Sequence, residues 1–599
     1  MAFASDPLSR LPDELLEAIV IYLPPADTLC FGATCRRCNK ATYEPLVWRR
    51  HCLQEWKHWE SRHEIKDKIK LPPAQVKWRL LYEERRETDR HARSIFEALL
   101  ESQQHRIKRL EQVARFGYDV KDLFLKQKNE TPDDAHDVLA RRYHATVILG
   151  QIHRKTALEK WNRLQLKQMV KLEEVLGAYD LFVLSGREGD LEDMSREFDR
   201  IAERIRATDP NFDHFSIRNK AVRVAKFLAS EGLVGNPSED DYHALRNNFI
   251  SLALFESPHS SLPLQSVAIY CAVARRLGIN AKPSNYPHHV HAVIEAPTEV
   301  DLNGKPRPPG EDIRPEDSAH IMHMDPWRSS SEVPRSFLAA RLVQMGAPAQ
   351  QHNHHLSPTS TMEVALRTGR NIMNSVQVAR DRDRHRGTPR QPPFPDIESA
   401  WYSMLWAMLV LGNGTQSRMP RMRQVLPYLI EHFQAHFPED LNLIEEIVLP
   451  MFEREREQQV LNHLITTSRV ADAKMRTPIR RPTDRHGNKM GVAFTIGTHF
   501  QHKRYGYEGV VVSWDDRCGA EERWIEQMGV DELPRGREQP FYRVVADDKS
   551  IRYVAEENIA PSSAAPSEAI LELAGRYFKR YDKATRKFIS NIRDEYPDD

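Results

Sequence analysis

Cysteine is scarce in this chain: six occur in 599 residues. That is too few for a disulfide framework and points to a reducing compartment, the cytosol or nucleus. An excess of one charge is also lacking, because 86 Lys and Arg nearly cancel 85 Asp and Glu to leave +1. No global field therefore draws the chain to nucleic acid or an anionic membrane, although a local basic patch stays open. Long apolar runs are missing too. The greasiest stretch, Trp401 to Leu411, covers about a dozen residues, against the roughly twenty that cross a bilayer, so it reads as a buried helix. Asp6, Arg10, Asp13 and Glu14 fall where a signal peptide needs its apolar segment, so secretion is not expected. With 40% hydrophobic and 29% charged residues, the chain suits long solvated helices joining packed modules and excludes wholesale disorder. Its length predicts about four domains.

Hydrophobic periodicity divides the chain. Leu11, Leu15, Leu16, Ile19 and Leu23 recur at helical spacing, and Pro24-Pro25 stop that helix, so the first fifty residues read as short helices. From 75 to 173 come long charged helices with an apolar face of Phe96, Leu99, Leu100, Ile107, Leu110 and Val113, a turn near Thr131-Pro132, and a second face of Tyr143, Val147, Ile152 and Trp161. This is a spacer. Between 174 and 470, helices over 191–207, 218–230, 241–256 and 263–277 precede strand-like runs at 290–294 and 320–325, and helices then resume. Loops rich in Pro, Gly and charge interrupt this part at 296–315 and 381–395. A basic linker over 471–489 leads to a small β domain over 490–562, with strands at 510–514, 541–545 and 551–554. Residues 563–599, with Ile570, Leu571, Leu573, Tyr577 and Phe578, read as a charged helical tail. The expected fold class is multidomain and mainly α: N-terminal helices, a central α+β domain with a helical extension, and a C-terminal small β-barrel.

Leu11-Pro12-Asp13-Glu14-Leu15-Leu16, then Ile19, Tyr22-Leu23-Pro24, Leu29, Cys35-Arg36-Arg37 and Trp48-Arg49-Arg50, resemble an F-box over residues 5–52. The resemblance implies a three-helix module that docks on the Skp adaptor of a cullin-RING ubiquitin ligase, through Leu11, Pro12, Leu15, Leu16, Ile19, Leu23 and Pro24. A module this small cannot bury all of its apolar side chains within itself, and leftover apolar surface marks a partner interface. Cys35-x-x-Cys38 with His51-Cys52 offers zinc-ligand residue types, but the F-box pattern sets these cysteines on helices rather than at one tetrahedral centre.

The central motifs are Val234-Gly235-Asn236, Asp240-Asp241-Tyr242, Arg246 to Ile250, Leu262-Pro263-Leu264, Val273 to Ile279, Pro287-His288-His289 and Asp325-Pro326-Trp327. With Leu366-Arg367 to Asn374 they resemble the SirB-type transglutaminase-like family. An active member has a Cys at a helix N-terminus, a His as base and an Asp that orients it. Here the nucleophile position falls on Pro263, which has no nucleophile, whereas His289 and Asp325 match the other two places. The resemblance thus implies a degenerate triad and no catalysis. Cys271, two turns further along the helix beside Val267 and Ala274, reads as core.

Gly497, His502 to Tyr507, Gly509-Val510-Val511, Trp514-Asp515, Gly536 to Tyr542 and Arg552 to Asn558 resemble the YccV/HspQ family, whose label is hemimethylated-DNA binding. Between Met490 and Ala560, however, nine Lys and Arg face thirteen Asp and Glu. Phosphate neutralisation needs basic side chains, so DNA is not the expected partner. A protein substrate is expected instead, with Tyr505, Tyr507, Phe541 and Tyr542 as anchors and Trp514 as core.

The three resemblances in this order are those of F-box proteins of the F-box only protein twenty-one type. They imply a non-catalytic substrate-recognition subunit of an SCF ubiquitin ligase, binding the Skp adaptor and an unidentified protein. Two rival readings are a cysteine-dependent transamidase or protease and a DNA-binding regulator. No cofactor, metal or membrane is expected, and His352, His354 and His355 read as solvated side chains of a polar loop.

Overall fold

The computed structural model describes residues 11–184, 186–235, 241–307, 318–386, 394–412, 418–475, 478–481, 491–591 and 596–597. Asn236, Asp240, most of the basic linker and parts of the loops at 296–315 and 381–395 lie outside the described residues. The chain divides into two compact units, one of residues 1–152 with 439–599 and one of residues 153–438. The first is therefore discontinuous in sequence.

The first unit opens with helices α1 (Asp13–Val20), α2 (Pro25–Gly32), α3 (Arg36–Ala41) and α4 (Pro45–Glu55). Pro25 and Pro45 sit in the first turns of α2 and α4, where a missing N–H costs nothing. Cys35 caps α3, its Sγ accepting from the Cys38 N–H at 3.4 Å, so the C-x-x-C spacing serves a helix start. Leu16, Val20, Val47, Trp48 and Cys52 share one core with Trp56, Trp59, Trp78, Leu81 and Tyr82. These helices are thus fused to the long Trp78–Glu101 helix rather than tethered to it. Helices over Trp78–Glu101, Arg106–Ala114, Lys121–Asn129 and Val138–Gln165 build the expected spacer, with Phe96, Leu99, Leu110, Val113, Phe124 and Ile152 in a second core. The Glu457–Ala473 helix belongs here as well. Its Asp472 carboxylate accepts the Ile107 and Lys108 N–H groups at 2.8 and 3.1 Å, capping a spacer helix, and Arg469 pairs with Glu111 at 2.6 Å.

In the second unit, the Pro263–Arg276 helix is buried from Pro263 to Ala274. Helices over Leu172–Val183, Leu191–Thr208 and Ile217–Ser230 pack around it. A mixed-length antiparallel sheet follows in the order β1 (Asn280–Pro283), β2 (Ala292–Glu295), β3 (Ile321–Met324), β4 (Glu332–Val333). The helical extension comprises Thr361–Arg386, Ile397–Leu411 and Arg418–His436. Trp401 to Leu411 lies inside its second helix, and no helix among the described residues is long and apolar enough to cross a membrane. His352, His354 and His355 stand on a helix, Ala349–Leu356, and not in a loop.

The C-terminal part of the first unit is a five-stranded antiparallel sheet. It contains β5 (His499–His502), β6 (Glu508–Asp515), β7 (Phe541–Ala546), β8 (Ile551–Ala555) and β9 (Ile559–Pro561), ordered β8-β7-β6-β5-β9. The expected charged helical tail is corrected here. Only Glu568–Ala574 is helical, and the chain then forms a hairpin of β10 (Phe578–Asp582) and β11 (Lys587–Ser590). Asp582 shapes the turn, accepting from the Ala584 N–H at 3.0 Å and the Thr585 hydroxyl at 2.8 Å, while Arg586 takes φ 55°. Ile570, Phe578 and Phe588 join the core that holds Phe500, Trp514 and Tyr542. The tail is therefore an integral part of the domain.

Candidate functional site

The β2–β3 ladder pairs Ala292 with Met324 and Val293 with His323, so its next step sets His291 opposite Asp325. The preceding segment is folded back by His288 at φ 62° and held by Ser284, whose Oγ accepts the His291 N–H at 3.0 Å. His289 Nε2 donates to Asp325 Oδ2 at 2.9 Å, and His291 Nε2 stands 3.9 Å from the same oxygen. Burial is the largest single influence and pushes the Asp325 carboxyl up, but the His289 hydrogen bond together with the nearby His289, His291 and Arg328 side chains outweighs it, and the net shift is downward. Burial holds His291 down at about 3, so its imidazole is neutral. Trp327 lies 5.6 Å from His289, ring to ring, and its Nε1–H donates to the Ser261 carbonyl at 2.8 Å.

The structure brings His289 and Asp325 together but supplies no nucleophile at the expected position. Pro263 is the first residue of its helix and is buried. Nearby, Ser261 and Ser266 share a hydroxyl hydrogen bond of 2.6 Å, and the Ser266 Oγ also accepts the Gly235 N–H at 3.1 Å. Cys271 is buried, and burial pushes its thiol up, away from thiolate chemistry at neutral pH. His291 is the residue that motif matching passed over; its signal was the His-x-His spacing combined with ladder register.

The F-box-like surface has two sides. Leu15 and Ile19 are 52% and 44% exposed on α1, and Pro12, Pro24 and Leu29 are also exposed. Leu11 and Leu23 are half-buried. Leu16 is fully buried with Val20, which corrects its assignment to the docking surface: it lies on the opposite stripe of a two-turn helix.

Three of the four expected C-terminal anchors are corrected. Phe541, Tyr542 and Tyr507 are buried, and Tyr505 alone of the four is exposed, at 64%. Phe541 and Tyr542 point to opposite faces of β7, and both faces are covered. Tyr542 enters the main core, whereas Phe541 packs with Ile525, Val530 and Ala555 under the Glu522–Met528 helix. The Tyr542 hydroxyl donates to Glu556 at 2.7 Å and accepts the Ala493 and Phe494 N–H groups, each at 3.1 Å. Tyr505 projects from a turn organised by His502, whose Nδ1 accepts the Arg504 and Tyr505 N–H groups at 3.1 Å. Trp514 is buried, as expected.

Family models match three separate stretches: F-box-like over residues 8–54, transglutaminase-like superfamily over 192–370, and hemimethylated DNA-binding protein YccV-like over 492–585. One chain carries all three domains. The third match runs past the expected limit of 562 into β10, in line with the tail being part of that domain. The chain is also similar to proteins called F-box only protein 21 from Homo sapiens, Mus musculus and Pongo abelii, at 38% identity over 108 residues. That stretch is 18% of this chain and 17% of each relative, so about a sixth of each relative's length is matched. No solved structure gives a significant match.

Proposed function

We propose that the chain is a substrate-recognition subunit of an SCF ubiquitin ligase, which tethers a target protein to the Skp adaptor and catalyses nothing itself. The F-box-like match and the relatives called F-box only protein 21 support the recognition role. The observation that carries the adaptor interface is the split face of α1: Leu16 and Val20 close the core, which leaves Leu15 and Ile19 exposed one turn apart on the same helix. A cluster of apolar side chains on a folded surface gains most by covering itself with a partner. The receptor's contribution is proximity, raising the effective concentration of target lysines at the conjugating enzyme. Absence of a thiol at position 263 and burial of Cys271 support the non-catalytic part of the proposal. Work in the cytoplasm, nucleus or both fits six free thiols.

Leu15→Asp and Ile19→Asp test this directly. A carboxylate driven into a dry interface loses its hydration without a partner, a cost of about 3 kcal/mol or a loss of roughly a hundredfold in affinity. Because both positions are exposed, melting of the free chain should not change. Undiminished co-purification of the Skp adaptor with both variants would refute the interface.

A further inference from the structure

Among the described residues, two groups of histidine and carboxylate converge closely enough to hold a metal ion, with their ligand atoms within 4.8 Å of one another: His289, His291, Asp325 and Glu398, His432, His436. They differ in what already satisfies the carboxylate. Arg380 Nη2 reaches both Glu398 oxygens, at 3.1 and 2.9 Å, so an incoming cation would compete with a guanidinium. Asp325 has no guanidinium hydrogen-bonded to its oxygens among the described residues, although Arg328 stands near enough to help lower its carboxyl. Its Oδ1 accepts the Arg328 backbone N–H at 3.3 Å, its Oδ2 faces the two imidazoles, and no Arg or Lys among the described residues ion-pairs with it.

The geometry suits a small ion. Bonds of about 2.0–2.2 Å in a tetrahedron set ligand atoms roughly 3.3–3.6 Å apart. The observed separations of 2.9 and 3.9 Å from Asp325 Oδ2 bracket that spacing. Asp325 and His291 each lie one residue beyond the Ala292–Met324 end of the β2–β3 ladder, and the Tyr286 ring meets the His291 ring at 89° and 4.8 Å. A single His–Asp hydrogen bond gives no reason for a second imidazole at this carboxylate. His291 Nε2 is too far from Asp325 to hydrogen-bond, and its Nδ1 is buried without a hydrogen-bond partner.

We propose that this site binds one divalent transition-metal ion of the zinc class, through His289 Nε2, His291 Nε2 and Asp325 Oδ2, the ion taking the place of the Nε2 proton that His289 gives to Asp325 while His289 carries its remaining proton on Nδ1. Two imidazoles with one carboxylate favour zinc, cobalt or nickel over magnesium and calcium, which prefer oxygen ligands. Three protein ligands leave a tetrahedral ion one position for water or for a donor from a bound partner. The proposal is independent of the adaptor reading, so Leu15→Asp should bind the metal as the unaltered chain does.

The test uses the full chain, stripped with chelator and titrated with Zn2+ against a chromophoric competitor, and separately with Co2+. One equivalent should bind with micromolar or tighter affinity. The cobalt complex should show the visible bands of tetrahedral nitrogen and oxygen ligation without sulfur charge transfer. His291→Gln and Asp325→Asn should each weaken binding at least tenfold, whereas His432→Gln should leave it unchanged. Binding that persists undiminished in His291→Gln, a sulfur charge-transfer band, or no binding by the unaltered chain overturns the proposal. The cobalt spectrum of the unaltered chain decides the matter even if a variant fails to fold.

Discussion

Tyr542→Phe separates a structural tyrosine from a contact tyrosine. The ring is fully buried, so the substitution keeps the shape of the core and removes only the hydroxyl. Three partners depend on that oxygen: the Glu556 carboxylate, which accepts its proton at 2.7 Å, and the Ala493 and Phe494 N–H groups at 3.1 Å. Ala493 keeps a second acceptor, Glu556 Oε2 at 2.9 Å. The losses are then one hydrogen bond to a charged acceptor, worth about 1.5–3 kcal/mol, and one poorly satisfied N–H at Phe494, worth about 1 kcal/mol. About 3 kcal/mol in a domain of roughly 100 residues lowers its melting temperature by roughly 12–24 °C. Differential scanning calorimetry of the full chain, following the transition that contains this domain, reads the shift. Tyr505→Phe supplies the comparison and should melt with the unaltered protein, because its side chain is exposed. If Tyr542→Phe melts within about two or three degrees of the unaltered chain, the hydroxyl network carries no stability and Tyr542 is not the structural tyrosine its burial indicates.

Two further outcomes follow from packing and titration. Gly497 takes φ +82° with the Phe588 carbonyl 2.1 Å from where a Cβ would stand, whereas Gly506, at φ +71°, has open space around it. Gly497→Ala should cost about 3 kcal/mol or more and expose the C-terminal hairpin to limited proteolysis, while Gly506→Ala should cost about 1 kcal/mol of backbone strain and leave the hairpin protected. In the second unit, burial lowers His291, His323 and His432 to about 3, 4 and 4. Unfolded histidine takes up a proton near pH 6.5, so the stability these neutral rings contribute is complete above that value and falls as pH drops from about 6.5 towards 4 and below. Melting of this unit should decline across that window, and a flat profile between pH 7.5 and 4.5 would contradict the buried neutral assignment.

The sequence was most legible where one periodicity acted over a long stretch. The helices at 191–208, 217–230 and 263–276 lie within a residue or so of their expected bounds because each has one apolar stripe and a clear start: Asp190 and Ser216 cap two of them, and Pro263 opens the third. The C-terminal tail departs from its expected helix because Ile570, Leu571, Leu573, Tyr577 and Phe578 fit a helical stripe as well as they fit a short helix entering a strand. The deciding cue lay further on, where Asp582 to Arg586 form a turn and Phe588 returns to the core. The same limit applied to β7. Alternation assigns Phe541 and Tyr542 to opposite faces, and an exposed face would have freed one of them for contact. That both faces are covered depends on the Glu522–Met528 helix and the tail, which no local pattern connects to β7.

The central site shows what family resemblance reads and what register adds. His289 and Asp325 were found by motif, because the triad is defined by roles that recur at recognisable places. His291 has no role in that scheme, and its side chain becomes relevant only when strand pairing is known. The sum of residue numbers across β2 and β3 is constant along the ladder, so the pairing of Ala292 with Met324 forces His291 to the level of Asp325. A short ladder with a polar end then does two things at once. Its apolar members, Val293, Ile294, Met322 and Met324, are buried or nearly so and fix the register. The register in turn brings two imidazoles to within 2.9 and 3.9 Å of one carboxylate oxygen. With Pro263 offering no nucleophile, the imidazole–carboxylate pair joined by one more histidine still presents three donor atoms to a cation.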